Sequence, residues 1–307
     1  MLKMPDRIPN NKKNGLNSSY SNSVYSEHIC CSIIKSLGFD VQDTLIGYIT
    51  TSNNTRKPVV ACKNFVPPGY FLVDFRAIED AVLTDRKPGK IPRINDIYRI
   101  MRGNNAYFSK NSGSVALETF WNTFTIDAML GNFDRHANNW TYLVKHDGTE
   151  LKPAPIFDCG SCLYPQVSDS AIPTILSSEQ EIAMRINKFP TAALELPDKT
   201  KANYKEYIQS LCNPDCTNAL IRVYPLINID KINAIIHDNS SISEIRKEFY
   251  CTMIKARIEQ ILEPAYQKAV SNNKSVQSAA TLSNKFDTII DTVSQPIAEN
   301  KDDMQLD

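Results

Sequence analysis

Charge of one sign is missing from this 307-residue chain: 34 lysines and arginines balance 34 aspartates and glutamates. A general nucleic-acid binder rests its affinity on an excess of cations, so the balance argues against that class. Long apolar runs are missing too. No stretch approaches the roughly 18 consecutive apolar residues of a membrane-spanning helix. The N-terminus is polar and lacks the apolar segment of a secretory signal. The chain is expected in the cytoplasm, or outside it by a route that needs no such signal, with no nucleic-acid or membrane partner. No repeat period emerges. Cysteine, by contrast, occurs eight times. Only Cys159-x-x-Cys162 and Cys212-x-x-x-Cys216 have ligand-like spacing, and neither has a second pair or a histidine nearby in finger register. Free thiols are the expectation.

What is present is concentrated between Leu130 and Leu163. An apolar run (Phe120, Trp121, Phe124, Met129, Leu130) stops at Gly131, and the polar cluster Asn132-Phe133-Asp134-Arg135-His136-Ala137-Asn138-Asn139 follows. Trp140 to Val144 alternates like a strand, His146-Asp147-Gly148 supplies a turn, and Ala154 to Phe157 reads as a returning strand that ends at Asp158. Such a hairpin would bring Asp158 back beside Asn139. Singly, an Asp or Asn in a loop caps a turn. Three in this order suit phosphoryl transfer, which needs a carboxylate for the nucleophile's proton and oxygen ligands for Mg²⁺ on the phosphates. Asp134 and Asn139 keep the five-residue step of the kinase H-R-D-x-x-x-x-N loop, with Arg135 and His136 moved to the other side of the Asp. Asp158-Cys159-Gly160 matches D-x-G.

Around this core the periodicities predict a helix over Ser23–Leu37, with serine caps at its start and Gly38 as its stop. Cys30, Ile33, Ile34 and Leu37 form its inward stripe. Glu27 falls on or beside that stripe. A carboxylate facing a core must find a cation or take a proton, and Lys3 is the candidate cation; at the stripe's edge it would instead sit in the first turn, favoured by the helix dipole. Both readings stand on the residues alone. Strands follow over Val41–Thr50 and Pro58–Lys63, then the stiff Asn64–Gly69 linker. Helices are predicted at Leu72–Leu83, Asp96–Met101 and Val115–Leu130. Beyond the Ser-rich Gln166–Ser178 they recur at Glu179–Lys188, Tyr204–Cys212, Cys216–Val223, Asp230–Asp238 and Glu244–Ala269.

GNFDRHANNW followed by APIFDCGSCLYP resembles the catalytic segment of the HipA-like serine/threonine kinases, and the resemblance runs from about Lys3 to about Gln267. Composition and helical spacing give a polar tail over 271–307 with a short helix around Phe286, Ile289, Ile290 and Val293. The resemblance implies an α+β, two-lobed, protein-kinase-like fold with an N-lobe over 1–66 and a mainly helical C-lobe over 67–270. It implies ATP and Mg²⁺ as cofactors and a Ser or Thr hydroxyl of a protein as acceptor, with autophosphorylation open. By the same resemblance Asp134 is the catalytic base, and Asn139 and Asp158 are the metal ligands. Lys3, paired with Glu27, holds the nucleotide; His136 lies beside it; and the backbone of Ala61, Cys62, Lys63 and Asn64 meets the adenine. A kinase carries a glycine-rich turn ahead of its lysine, and here only Met1 and Leu2 precede Lys3. The N-lobe is therefore expected to be truncated. A second reading follows: a catalytically impaired nucleotide-binding or partner-binding module. A Mg²⁺ phosphohydrolase would need a second acidic cluster for paired metals, which the sequence lacks.

Overall fold

In the first sheet, β3 (Arg56–Cys62) lies between β1 (Leu2–Lys3) and β2 (Thr44–Thr50), antiparallel to both. The computed structural model to which these strands belong describes residues 1–4, 22–84 and 91–272. The expected polar loop up to residue 21, part of the basic loop at 85–90 and the tail from residue 273 lie outside them. Met1–Tyr266 forms one compact unit and Gln267–Asp307 another.

Lys3 and Ile46 both pair with Val60, so the three share one sheet face. Helix α1 (Ser23–Ser36) covers that face, and Val24 packs with Val60 and Cys62 beneath it. The stripe Cys30, Ile33, Ile34 and Leu37 is buried as expected. Gly38 stops the helix at φ +88°, a backbone state that costs an L side chain. The serine caps are a correction. Asn22 occupies the N-cap position, and its amide donates to Pro165 O (3.0 Å) and Val167 O (3.3 Å), tying the helix start to the segment beyond the D-x-G turn.

Past the linker the helix expected from Leu72 does not yet begin, and Tyr70–Asp74 forms the strand β4. Its Tyr-Phe-Leu-Val run pairs instead with β5 (Thr141–Lys145), where β-branched and aromatic residues fit a pleated surface. Helix α2 (Phe75–Val82) starts only after Asp74, whose carboxylate accepts from Ala77 N at 2.7 Å. Helices α3 (Ile94–Arg102) and α4 (Lys110–Leu130) follow. Ser109 and Ser112 close a reciprocal capping box at the start of α4, five residues ahead of the expected boundary. Gly131 ends α4 at φ +69°, and a Cβ there would also press on Pro190 (3.5 Å).

The returning strand β6 (Leu151–Pro153) lies ahead of the expected Ala154–Phe157, which holds only an isolated bridge at Ile156. Pro153 and Pro155 have no N–H to donate, so antiparallel pairing cannot run on. Ile156 turns to a different partner: its N–H donates to Asp40 O (2.9 Å), its carbonyl accepts from Gln42 N (2.8 Å), and it bridges Val41 in parallel. The segment leading to Asp158 is therefore sewn to the loop after α1.

Helices α5 (Ile172–Leu176) and α6 (Glu179–Asn187) occupy and follow the Ser-rich stretch. An antiparallel hairpin the sequence reading did not anticipate comes next, β7 (Thr191–Glu195) and β8 (Lys201–Asn203). Four helices follow it: α7 (Tyr204–Ser210), α8 (Pro214–Val223), α9 (Ile229–His237) and α10 (Glu244–Arg257). A π-turn over Ile258–Leu262 interrupts the last predicted helix, and 263–266 are helical again. A single large apolar cluster links α1 through α10, with Trp121, Phe249 and Tyr250 fully buried. Among the described residues no helix is long and apolar enough to cross a membrane.

Candidate active site

Three segments converge on Asp158. The Lys3 ammonium is 2.7 Å from Asp158 Oδ1 and 3.3 Å from Glu27 Oε2, and Glu27 Oε1 accepts the backbone N–H of Asp158 at 3.1 Å. Sheet, helix and D-x-G turn thus meet in one ion cluster. Glu27 is 1 % exposed, which settles its place on the inward stripe. Burial pushes its pKa up to about 7, with the nearby Cys159 adding and Lys3 opposing. Burial also pulls on Lys3, yet Glu27 and Asp158 together hold its pKa above the ordinary lysine value. Both values therefore rise, whereas attraction alone would raise the lysine and lower the carboxylate. The geometry explains it: Lys3 leans to the nearer, more exposed Asp158, so desolvation wins at Glu27.

Gly160 permits the approach. A Cβ at that position would stand 3.4 Å from both Glu27 Oε2 and Ser23 O. Asp158 itself has φ +59°, and Leu163 and Tyr164 are left-handed as well. Each such non-glycine residue costs on the order of 1 kcal/mol or more and persists because surrounding contacts impose it.

Asp134 and Asn139 come from the loop after α4. Asn132 Oδ1 accepts from Asp134 N (3.0 Å), and Asn139 Nδ2 donates to Asp134 O (3.0 Å), so the side chains on either side of Asp134 clamp its backbone. Asn138 donates to Asp74 (3.2 Å), and Phe75 N donates to Trp140 O (2.7 Å), fixing the loop to β4 and α2. Among the described residues the Asp134 carboxylate and Asn139 Oδ1 accept no hydrogen bond. The protein crowded around Asp134 raises its pKa; His136 opposes the rise, Asp158 adds to it, and Arg135 and Lys201 oppose it. Asp134 and Asp158 therefore lie within electrostatic reach of one another.

Arg135, mentioned in the sequence only as displaced, binds this arrangement from behind. Its guanidinium donates to Asp127 (2.9 and 3.2 Å) and Phe157 O, and contacts Cys159 Sγ at 3.6 Å. Asn132 Nδ2 donates to the same buried Asp127 at 3.0 Å. One arginine thus joins α4, the catalytic loop and the residues either side of Asp158. The Cys159 thiol also contacts Cys162 and Cys31, and the eight cysteines are all free. No group of three or more His, Cys, Asp or Glu among the described residues is arranged to hold a metal.

The linker residues divide. Ala61 and Cys62 lie in the central strand, where Ala61 pairs on both sides; Cys62 N donates to Met1 O (2.8 Å), and Cys62 O accepts the Met1 ammonium (2.9 Å). Lys63 N donates to Asp43 O, and Lys63 O accepts from Gln42. These backbone groups are engaged within the protein, which leaves Asn64 and Phe65 as the linker's nearest available ones. Phe65 meets Phe157, the residue before Asp158, with ring centroids 5.7 Å apart. The sequence reading had no signal for that pairing, because it joins residues distant in the chain.

A comparison with known families decides the kinship: the HipA-like C-terminal domain family matches residues 2–214. The chain belongs to the HipA-like family. It is 38% identical over 291 residues to a serine/threonine-protein kinase, CtkA, of Helicobacter pylori strain J99, covering 95% of this chain and 85% of that one. The crystal structure of a Helicobacter pylori proinflammatory kinase CtkA superposes with a TM-score of 0.79 over 88% of this chain and 87% of that chain, at 38% identity. HipA of Shewanella oneidensis MR-1, solved with HipB and operator DNA, matches at TM-score 0.52 and 16% identity. That match covers 87% of this HipA-like chain and 59% of HipA, and it speaks to the fold alone. The two-lobed, kinase-like α+β fold expected from the sequence is the fold observed.

Proposed function

We propose that this HipA-like chain is a serine/threonine protein kinase that transfers the γ-phosphoryl group of ATP, with Mg²⁺, to a protein hydroxyl. The observation that carries the reading is the convergence of Lys3, Glu27 and Asp158 beside an Asp134 whose carboxylate has no competing partner. Two lobes meeting near Val66 put the nucleotide between the first sheet and the catalytic loop, with adenine against Asn64, Phe65 and Phe157. The kinship with the serine/threonine-protein kinase CtkA supports the reaction class.

The donor set fits the cofactor. Among the described residues Asn139 Oδ1 and Asp158 Oδ2 are hard oxygens without hydrogen-bond partners, and Mg²⁺ needs only one or two protein ligands beside phosphates and water. That is why no preformed cluster of three acidic ligands is required. Bound Mg²⁺-ATP supplies the transferable phosphoryl group and neutralises its developing charge. Lys3, released from Asp158 and kept in place by Glu27, turns its ammonium to phosphate oxygens. Asp134 accepts the hydrogen bond of the incoming Ser or Thr hydroxyl at its carboxylate and takes the proton as the oxygen attacks. The Asn139 amide keeps Asp134 aimed through the Asp134 carbonyl.

Titrating ATP with and without Mg²⁺ tests the assignment. Mg²⁺ should tighten binding to the wild type and do little for Asp158→Ala; equal Mg²⁺ dependence in both would remove Asp158 from the metal site. The impaired-module reading predicts Mg²⁺-dependent binding with no transfer of labelled phosphate to any protein.

A further inference from the structure

The β7–β8 hairpin has no part in holding nucleotide, yet it is fastened to the catalytic loop along both limbs. Phe189, just before β7, meets Phe133 with centroids 5.6 Å apart, and Pro190 lies against Gly131. Tyr204, just after β8, donates its buried hydroxyl to Asn132 O at 2.8 Å. Residues 131–133, immediately ahead of Asp134, are thus gripped from both sides. The hairpin's own surface is cationic and partly apolar. Phe189 is 41 % exposed. Lys188 and Lys201 are exposed and form no ion pair or side-chain hydrogen bond among the described residues. Lys205 donates to Asn187 Oδ1 (2.6 Å), beside Lys188. The acids of the stretch have other partners: Glu195, opposite Lys201 across the hairpin, pairs with Arg93 (2.7 Å), Asp198 folds back onto Thr200, and Glu206 sits in the first turn of α7.

We propose that this hairpin is the docking surface for the acceptor protein, and that it selects a Ser or Thr flanked by acidic residues. The proposal rests on the kinase reading for the acceptor hydroxyl at Asp134. Unpaired lysines beside an acceptor site raise the local concentration of an acidic segment and fix its register, while like charge repels a basic one. Lys201 lies within electrostatic reach of the Asp134 carboxylate. Phe189, packed on Phe133 next to Asp134 in the chain, offers an apolar step for a side chain next to the acceptor.

Fluorescence polarisation with the full chain tests this without turnover. Two labelled peptides are compared, identical except for Glu or Lys on both sides of one serine. The Glu peptide should bind at least about tenfold more tightly at low salt, and the gap should close as salt screens it. The double variant Lys188→Ala, Lys201→Ala should bring the two peptides within about threefold, with ATP affinity and thermal melting unchanged. Lys201→Glu should reverse the preference. Equal or tighter binding of the Lys peptide, no binding of the Glu peptide at millimolar concentration, or indifference to the lysine substitutions overturns the proposal. A chain that prefers the Glu peptide but never transfers phosphate keeps the docking surface and loses the kinase reading. One that transfers phosphate without the preference does the reverse.

Discussion

Asp134 and Glu27 are two carboxyls whose environments set different tasks. Asp134 must be ionised to accept a proton, and its pKa is raised, so the acid limb of kcat/KM should lie above the ordinary carboxylate range. Asp134→Asn should lower kcat by about a hundredfold or more while leaving ATP affinity nearly unchanged, because the base touches the acceptor and not the metal. Single-turnover transfer of labelled phosphate reads this directly, and a variant as fast as wild type removes Asp134 from the chemistry. Glu27 carries a different signature. Its folded pKa of about 7 lies above the ordinary 4.5, so the fold favours the protonated form. Its contribution to stability is whole below pH 4.5 and is lost as pH rises through about 7, a change of about 3 kcal/mol. Lys3 titrates far above this window and does not mask it. Urea midpoints measured across that range should fall with pH in wild type and stay flatter in Glu27→Gln. Parallel curves would show that Glu27 is not the titrating group.

Which elements the sequence disclosed follows from how local their causes are. Helix α1 was legible because its apolar stripe and Gly38 lie within one segment, and Asp134, Asn139 and Asp158 because fixed spacing holds two and a D-x-G turn the third. The buried Lys3–Glu27 contact was visible only as a choice between two readings, which the 1 % exposure of Glu27 resolves. Where the cause is a distant partner, sequence reasoning failed. The Tyr70–Asp74 strand exists because β5 lies beside it, Ile156 follows Asp40 and Gln42 instead of β5, and β7–β8 is held by residues 131–133. The central coupling of the site, Asp127–Arg135, was missed for the same reason, although an Arg adjoining the catalytic Asp was the available hint. Its importance can be measured at the level of the α4–loop junction. Asp127→Ala would leave Arg135 buried without its carboxylate, which should cost about 3–5 kcal/mol in denaturant unfolding. A loss below about 1 kcal/mol would mean that Phe157 O and Cys159 suffice to hold the guanidinium.

At the scale of the whole Met1–Tyr266 unit, the site is a seam. Lys3 belongs to the first sheet, Glu27 to α1, Asp158 to a segment stitched to the loop after α1, and Asp134 to the end of α4, the most extensively buried helix. A nucleotide held by Lys3 and Asp158 is a ligand of the native fold alone, since the unfolded chain separates them by 155 residues. Mass action then ties binding to stability. At a hundredfold excess over Kd the gain is about 2.7 kcal/mol, which for a domain of this size raises Tm by roughly 5–10 °C. The rise should require Mg²⁺, because ATP alone brings its phosphate charge against Asp158 without the cation that reconciles them. It should shrink in Asp158→Ala, which loses a metal ligand, and in Lys3→Ala, which loses the cation joining sheet to turn. It should survive in Asp134→Asn, which faces the acceptor. Differential scanning fluorimetry with ATP, Mg²⁺ and both together separates these cases. An equal rise in all four proteins would place the nucleotide somewhere other than this seam, and the mechanism would have to be rebuilt around that site.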